Sequence, residues 1–407
     1  MFARLILISW RNVMRNKRRT MITGVAIGVG LAAMMFSDAL FAGMSTLMVE
    51  TTTDTWMGDA QIHREGFQET ANITFTIQHP QRIDSMLQAD TLAVASTGRL
   101  ISPASLQSAM EMKPVTLMGV DHLTEGQVSM LEAATDTGNY FSGDSMEMII
   151  GYKLAADMDL ALGDIAVITT AMAESGFASR MFRVSGICKF GSDQYDRYTA
   201  FVNIESAGSL LDLTGELHEI AIRFSDPMVA MDPDLPFWTV FSADSNKAEG
   251  WPVLAPQITS MIRMANVSLG IQAAILFGLV LFGIVNSLFM SVYERMYEFG
   301  VMKAVGTSKR AIILMVLLEA FWLGLAGSII GTLLGFGVIQ YFASVGISFG
   351  EVDFSGVMFD RPIHTLVDWS RLWIYPAATL LFTTLAGIYP GIHAGNLNPS
   401  EAMRKSL

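Results

Sequence analysis

The sequence predicts an α-helical membrane protein with four transmembrane helices and a large mixed α/β extracytoplasmic domain between the first and second helices. Apolar residues make up 51% of the 407 residues and charged residues only 16%, with a mean hydropathy of +0.42, a balance unlike that of a soluble protein this long. Four runs are long and apolar enough to cross the bilayer, whose hydrocarbon core of about 30 Å takes about 20 helical residues. Between the first two runs the pattern changes to short apolar stretches punctuated by turn residues.

In chain order, residues 1–20 form a basic amphipathic segment, 21–49 the first span and 50–265 the α/β domain. Residues 266–292 are the second span, 293–310 a short charged connection, 311–343 the third span, 344–371 an outer loop, 372–393 the fourth span and 394–407 a tail. The first apolar stretch is too long for a signal-peptide core and has no small-x-small cleavage site, so it reads as an uncleaved span.

Basic residues set the orientation. Arg4, Arg11, Arg15, Lys17, Arg18 and Arg19 precede the first span, Arg295, Lys303, Lys309 and Arg310 lie between the second and third, and Arg404 and Lys405 follow the fourth. By the positive-inside rule both termini and the charged connection face the cytosol. From Glu50 to Ile262, 29 acidic residues stand against 11 basic ones, a net charge of −18. That bias excludes nucleic acid as a partner and fits either a solvated acidic surface or a face for a basic partner.

Within the domain, residues 148–150, 165–169, 182–187, 198–202 and 219–224 read as strands, and 151–160 and 205–213 as helices. The prolines of 226–236 mark a loop, and the helix returning to the membrane starts near Pro256. Gly24 and Gly28 in the first span, and Gly327, Gly331 and Gly335 in the third, mark close helix contacts, within one subunit or between two. Pro376 and the Tyr389-Pro390-Gly391 run should kink or end the fourth helix. Glu319 sits inside the third span, where an ionised carboxylate needs a partner, and is expected to be paired. Asp38 is expected to be exposed beyond the bilayer. The lone Cys188 permits no intramolecular disulfide and reads as a small buried residue.

Catalytic signatures are absent. There is no Gly-x-x-x-x-Gly-Lys-Ser/Thr phosphate loop, no His-Glu-x-x-His and no Gly-x-Ser-x-Gly elbow, and six scattered histidines show no ligand spacing. No cofactor or metal is therefore expected in this chain. The charged connection Glu294–Arg310 has no lipid to cover and no core of its own, so its polar face calls for a cytosolic protein partner.

Three motifs at matching positions resemble the FtsX/MacB-type (type VII) permeases of ABC transporters. Before the first span stands Arg11-Asn12-x-x-Arg15-x-x-x-Arg19-Thr20; between spans, Glu294-Arg295-x-x-Glu298-Phe299-Gly300-x-x-Lys303-Ala304-x-Gly306; and at the end, Tyr389-Pro390-x-x-x-Ala394-x-x-x-x-Pro399-x-Glu401-Ala402-x-Arg404. The resemblance implies a MacB-like periplasmic core domain and an inner-membrane, multi-pass, non-catalytic subunit. Its partner would be a cytosolic LolD-like ABC ATPase dimer that binds ATP and magnesium, alongside a second permease copy or paralogue. In the family the charged connection docks on the ATPase. Glu294, Arg295, Glu298 and Lys303 would bond to that partner, with Phe299 and Val301 as apolar anchors.

Within the family the chain is most similar to the LolC/LolE lipoprotein-releasing permeases, through Gly151-x-x-Leu154-Ala155, Gly163-Asp164, Arg183-Val184 and Tyr195-Asp196. A Lol-type role implies mechanotransmission that releases lipoproteins, with a periplasmic lipoprotein carrier as a further partner. Residues 172–180 lie where such permeases place a carrier-binding hairpin, or form an ordinary turn. Met34, Met35 and Phe36 on the first span and Phe277, Leu281 and Phe289 on the second are candidates to line an acyl-chain cavity, or are packing and lipid-facing positions. The alternatives are a MacB-like efflux permease for amphipathic small molecules or peptides and an FtsX-like regulator of a periplasmic hydrolase.

Overall fold

The computed structural model describes residues 2–348, 352–354, 357–359 and 362–398. The chain forms two compact units, one helical (Met1–Ser45, Ile262–Ser348 and Arg361–Leu407) and one mainly β (Thr46–Met261 and Phe349–Asp360).

In the helical unit an amphipathic helix, Phe2–Arg15, leads into the first long helix, Lys17–Thr52. The second long helix is Pro256–Glu294, followed by a nine-residue cross-helix, Met296–Ala304, and the third long helix, Lys309–Val345. The fourth, Arg371–Ala386, tolerates Pro376 inside it, breaks at Gly387 and resumes as Ile388–Asn396 with Pro390 in its first turn, where a missing N–H costs no helical bond. Length and composition make these four helices candidates to cross a membrane.

The glycine ladder packs inside the subunit. A Cβ built on Gly331 would stand 2.7 Å from the Gly28 carbonyl oxygen, and one on Gly28 3.1 Å from the Gly331 amide. Backbones of the first and third helices touch because neither carries a side chain there. Val13, Ile27, Ile284, Leu288, Ala320 and Leu323 extend this contact into a shared core.

Among the described residues the large sheet of the β unit has ten strands: β1 Ala60–Arg64, β2 Ala93–Gln107, β3 Met112–Val120, β4 Thr135–Gly138, β5 Glu147–Gly151, β6 Ile165–Ala171, β7 Phe177–Cys188, β8 Thr199–Asn203, β9 Glu219–Phe224 and β10 Asn246–Gly250. The fifteen-residue β2 belongs to two arrangements. Its second half pairs with β3 and β6, and the pairings β3–β8, β8–β5, β5–β7 and β7–β6 close a six-stranded ring. Its first half pairs with β9, which continues through β1 to β10 as a sheet. Closure removes the ring's free edges, and Leu106, Leu117, Met148, Ile150, Ile168 and Phe182 fill its interior.

The strands read from alternation are β5 to β9, and the predicted helices appear at Tyr152–Asp157 and Ile204–Leu211. β2 was not predicted: Ser, Thr, Gly and Pro interrupt its apolar alternation. A two-stranded hairpin, Val352–Phe354 with Val357–Phe359, lies within the loop after the third long helix. Cys188 is fully buried.

Candidate functional site

The cross-helix is defined by its ends. Gly306 takes a left-handed φ of +96°, its N–H bonds to the Lys303 carbonyl at 3.0 Å and that of Thr307 to Met302 at 2.9 Å, the paired bonds of a Schellman stop. Ser308 then caps the third long helix, its side chain accepting from the Ala311 N–H.

One face of the cross-helix is used up inside the subunit. Phe299 is fully buried among Val292, Ile312, Met315, Val316 and Ala394. Lys303 Nζ donates to the carbonyls of Gly395 (3.0 Å) and Leu397 (2.7 Å), placing a cation on the exposed carbonyls that end the last helix. Gly300 is also buried. Phe299, expected as an apolar anchor on the partner, is thus buried in its own chain, and Lys303, expected to bond to the partner, also bonds within its own chain. The opposite face presents Tyr297, Val301 and Val305, which are exposed.

Two arginines and two glutamates form a charge-balanced chain around this helix, with a separate arginine–glutamate pair beside it. Arg295 Nη1 donates to Glu319 Oε1 at 2.5 Å and its Nε to Glu298 Oε2 at 2.9 Å. Asn12 Nδ2 donates to the same Glu319 oxygen at 2.8 Å. Arg15 reaches Glu298 at 2.6 Å, and Arg19 reaches Glu294 at 2.7 Å. Glu319 is thus paired, as its place in an apolar helix required. Burial works against the Arg295 charge, but Glu319 and Glu298 outweigh it and raise its pKa. Partial burial works against the Glu298 carboxylate, yet the Arg15 and Arg295 donors prevail and lower its pKa. The first motif thus supplies Asn12 and Arg15, and the second Glu294, Arg295 and Glu298. Of the closing motif, Pro399, Glu401, Ala402 and Arg404 lie outside the described residues, as does Lys405.

Asp38 is corrected. It is 7% exposed and ion-paired with Arg371 at the start of the fourth long helix. The pairing spans 333 positions, which no local pattern signals.

The six acyl-cavity candidates do not share one surface of the subunit. Met34 and Phe277 meet at a void of about 10 Å³ with Ile27, Leu31 and Val280. Met35 is buried with Leu31, Ala39 and Ile339, and the Phe36 ring lies tilted against Phe342, 5.4 Å between centroids, so both serve packing against the third helix. Phe289 packs edge-on against Tyr389 at 5.2 Å, while Leu281 is half-buried.

In the β unit a second arginine lies between two glutamates. Arg99 is fully buried, held by Glu125 through Nε (3.0 Å) and Nη2 (2.6 Å) and by Glu219 through Nη1 (2.8 Å). The Trp56 ring covers its guanidinium at 3.7 Å. With one cation for two acids, burial raises the pKa of Glu219 despite Arg99. The same unit has an open cleft of about 890 Å³ bearing Asp84, Asp121, Glu205 and Glu216 but no lysine or arginine. The β6–β7 hairpin turns at Gly176 and exposes Phe177 and Met181.

Four helices long and apolar enough to cross a membrane, a charged cross-helix between the second and third, and an inserted β unit give the chain the architecture of a membrane protein. Residues 20–231 match the MacB-like periplasmic core domain and residues 270–399 the FtsX-like permease C-terminal domain. The chain belongs to the FtsX/MacB-type family of ABC transporter permeases. It is similar to the lipoprotein-releasing system transmembrane protein LolC of Xylella fastidiosa, at 21% identity over 76% of this chain and 78% of that protein. It is also similar to LolE of Haemophilus influenzae, at 20% identity over 81% of each. The macrolide export ATP-binding/permease protein MacB of Chlorobium luteolum is 30% identical over 40% of this chain and 22% of that protein.

Proposed function

We propose that this chain is a non-catalytic inner-membrane subunit that couples ATP hydrolysis by a separate cytosolic ATPase to movement of its β unit, releasing lipoproteins from the membrane. Both termini and the cross-helix lie in the cytosol, the β unit in the periplasm. ATP and magnesium bind to the ATPase dimer, and a second permease copy or paralogue completes the complex. The observation that carries the lipoprotein reading is coverage: relatives named lipoprotein-releasing align with more than three quarters of the chain, and the MacB relative with 40%.

The exposed Tyr297, Val301 and Val305 supply an apolar docking patch on the cross-helix. The exposed Phe177 and Met181 supply the surface for a periplasmic carrier. Acyl chains enter beside Met34 and Leu281, where the first and second helices face lipid.

Affinity purification of the tagged full chain from its native membrane tests the first step. An ATP-hydrolysing subunit is expected to co-purify and to be lost on Val301→Asp. Photocrosslinkers at positions 34 and 281 test the cargo, and should label an acylated lipoprotein in the ATP-hydrolysing complex. A complex that hydrolyses ATP, gives no such crosslink and instead moves an amphipathic dye favours the second reading, MacB-like efflux, which the 30% identity to a macrolide exporter supports.

A further inference from the structure

We infer that Arg295 and Glu319 form the joint through which the cross-helix moves the third long helix, with Asn12 and Arg15 tying the amphipathic N-terminal helix to the same joint. The inference rests on the proposed coupling to a separate ATPase and adds the residues that carry the motion inside the subunit.

Docking residues and transmitting residues are different sets here. The cross-helix shows Tyr297, Val301 and Val305 to solvent, while Arg295 is 8% exposed and turns inward to a Glu319 that is 4% exposed. Packing of Phe299 already anchors the helix, so adhesion does not require ions. Replacing a buried ion pair by apolar groups of similar size is commonly neutral or stabilising. What the pair adds is stiffness, because parting it would leave an unpaired charge in a low-dielectric setting.

The guanidinium fork is placed to act as a bracket. Its Nε holds Glu298 on the cross-helix and its Nη1 holds Glu319 on the third long helix. The Glu319 oxygen also receives Asn12, and Glu298 receives Arg15, so the N-terminal helix grips both ends. A polar cavity of about 20 Å³ beside Glu319, lined by Asn12, Thr20, Ser287 and Ser291, has room for one water. From Glu319 the third long helix runs as one helix to Val345. Ser344 is 25 residues farther on, about 38 Å at 1.5 Å per residue.

The test uses the full chain with its co-purified ATPase in lipid nanodiscs, carrying Cys188→Ser and an environment-sensitive fluorophore on Ser344→Cys. Trapping with ATP and vanadate should shift the emission in the parent protein. Glu319→Gln and Arg295→Gln should keep the ATPase bound and hydrolysing within about twofold, and reduce the shift about tenfold, within the range of measured coupling factors. If single variants fold poorly, Arg295→Met with Glu319→Leu, which retains apolar packing, carries the test and should lose the shift too. The charge-exchanged pair Arg295→Glu with Glu319→Arg should recover part of it. A full shift in Glu319→Gln or in the apolar pair, with ATPase bound, overturns the inference. Failure of the parent protein to retain any ATPase overturns the proposed coupling to a separate ATPase on which the inference rests.

Discussion

Two arginines in this protein each sit between two glutamates, and they differ in how completely water is excluded. Arg99 and its partner Glu125 are wholly buried, Glu219 nearly so, and Trp56 caps the guanidinium. Arg295 is nearly buried, but its partner Glu298 keeps 40% of its side chain exposed and shares a second cation, Arg15. Arg99 bridges β2 to β9 and to the turn bearing Glu125, all within the β unit. Arg295 bridges helices that the proposed function requires to move together. The same fork of donors thus serves as a lock where every partner is desolvated, and as a bracket where one partner stays wet and exchangeable.

Removing the lock should have the largest effect. Arg99→Met leaves two acids facing each other in the interior and should cost about 3–5 kcal/mol, read as a lowered melting temperature of the full chain. The loss should also depend on pH. The folded-state pKa of Glu219 is raised, so its contribution is fully present below the unfolded value and is lost as pH rises through the folded one. Without Arg99 that pKa rises further, so the variant should recover stability at about pH 5 relative to about pH 8. A pH-independent loss would mean that Glu219 is not the strained group.

Next comes the glycine seam, which asks whether packing rather than charge holds the helical unit. Gly331→Leu forces apart backbones already in contact and should cost about 1–3 kcal/mol, measured by thermal unfolding in detergent. The paired change Arg295→Met with Glu319→Leu should alter stability by less than about 1 kcal/mol in either direction. A loss as large as that of Arg99→Met would erase the distinction between lock and bracket. Smallest is Arg15→Ala. Its side chain is 68% exposed, so the Glu298 contact should contribute under about 1 kcal/mol and vanish at high salt.

Legibility in the sequence followed the range of the interactions. Strands β5 to β9 were readable because their alternation is local, as was the return helix at Pro256. β2 was not, because pairing with β3, joined on the other edge by β6 from Ala104 onward, rather than propensity, keeps Ser102, Pro103 and Ser105 extended. The need of Glu319 for a partner followed from the cost of a bare carboxylate in an apolar helix, but the choice of Arg295 and Asn12 did not. Asp38 was misread because Arg371 lies far away in sequence. The charged motif was visible at once, yet its residues were expected to point at a partner, since composition alone does not tell which face of a short helix its own subunit covers.

The sequence by itself determined the four apolar helices, the position of the charged cross-helix between the second and third, and the acidic character of the inserted segment. Each of these follows from hydropathy, charge and spacing along a continuous stretch. Tertiary structure alone decided the closure of the six-stranded ring, the contact of Gly28 with Gly331, and the inward turn of Arg295, Phe299 and Lys303. Those outcomes depend on which surfaces meet across tens to hundreds of residues, where burial selects partners that no local pattern encodes.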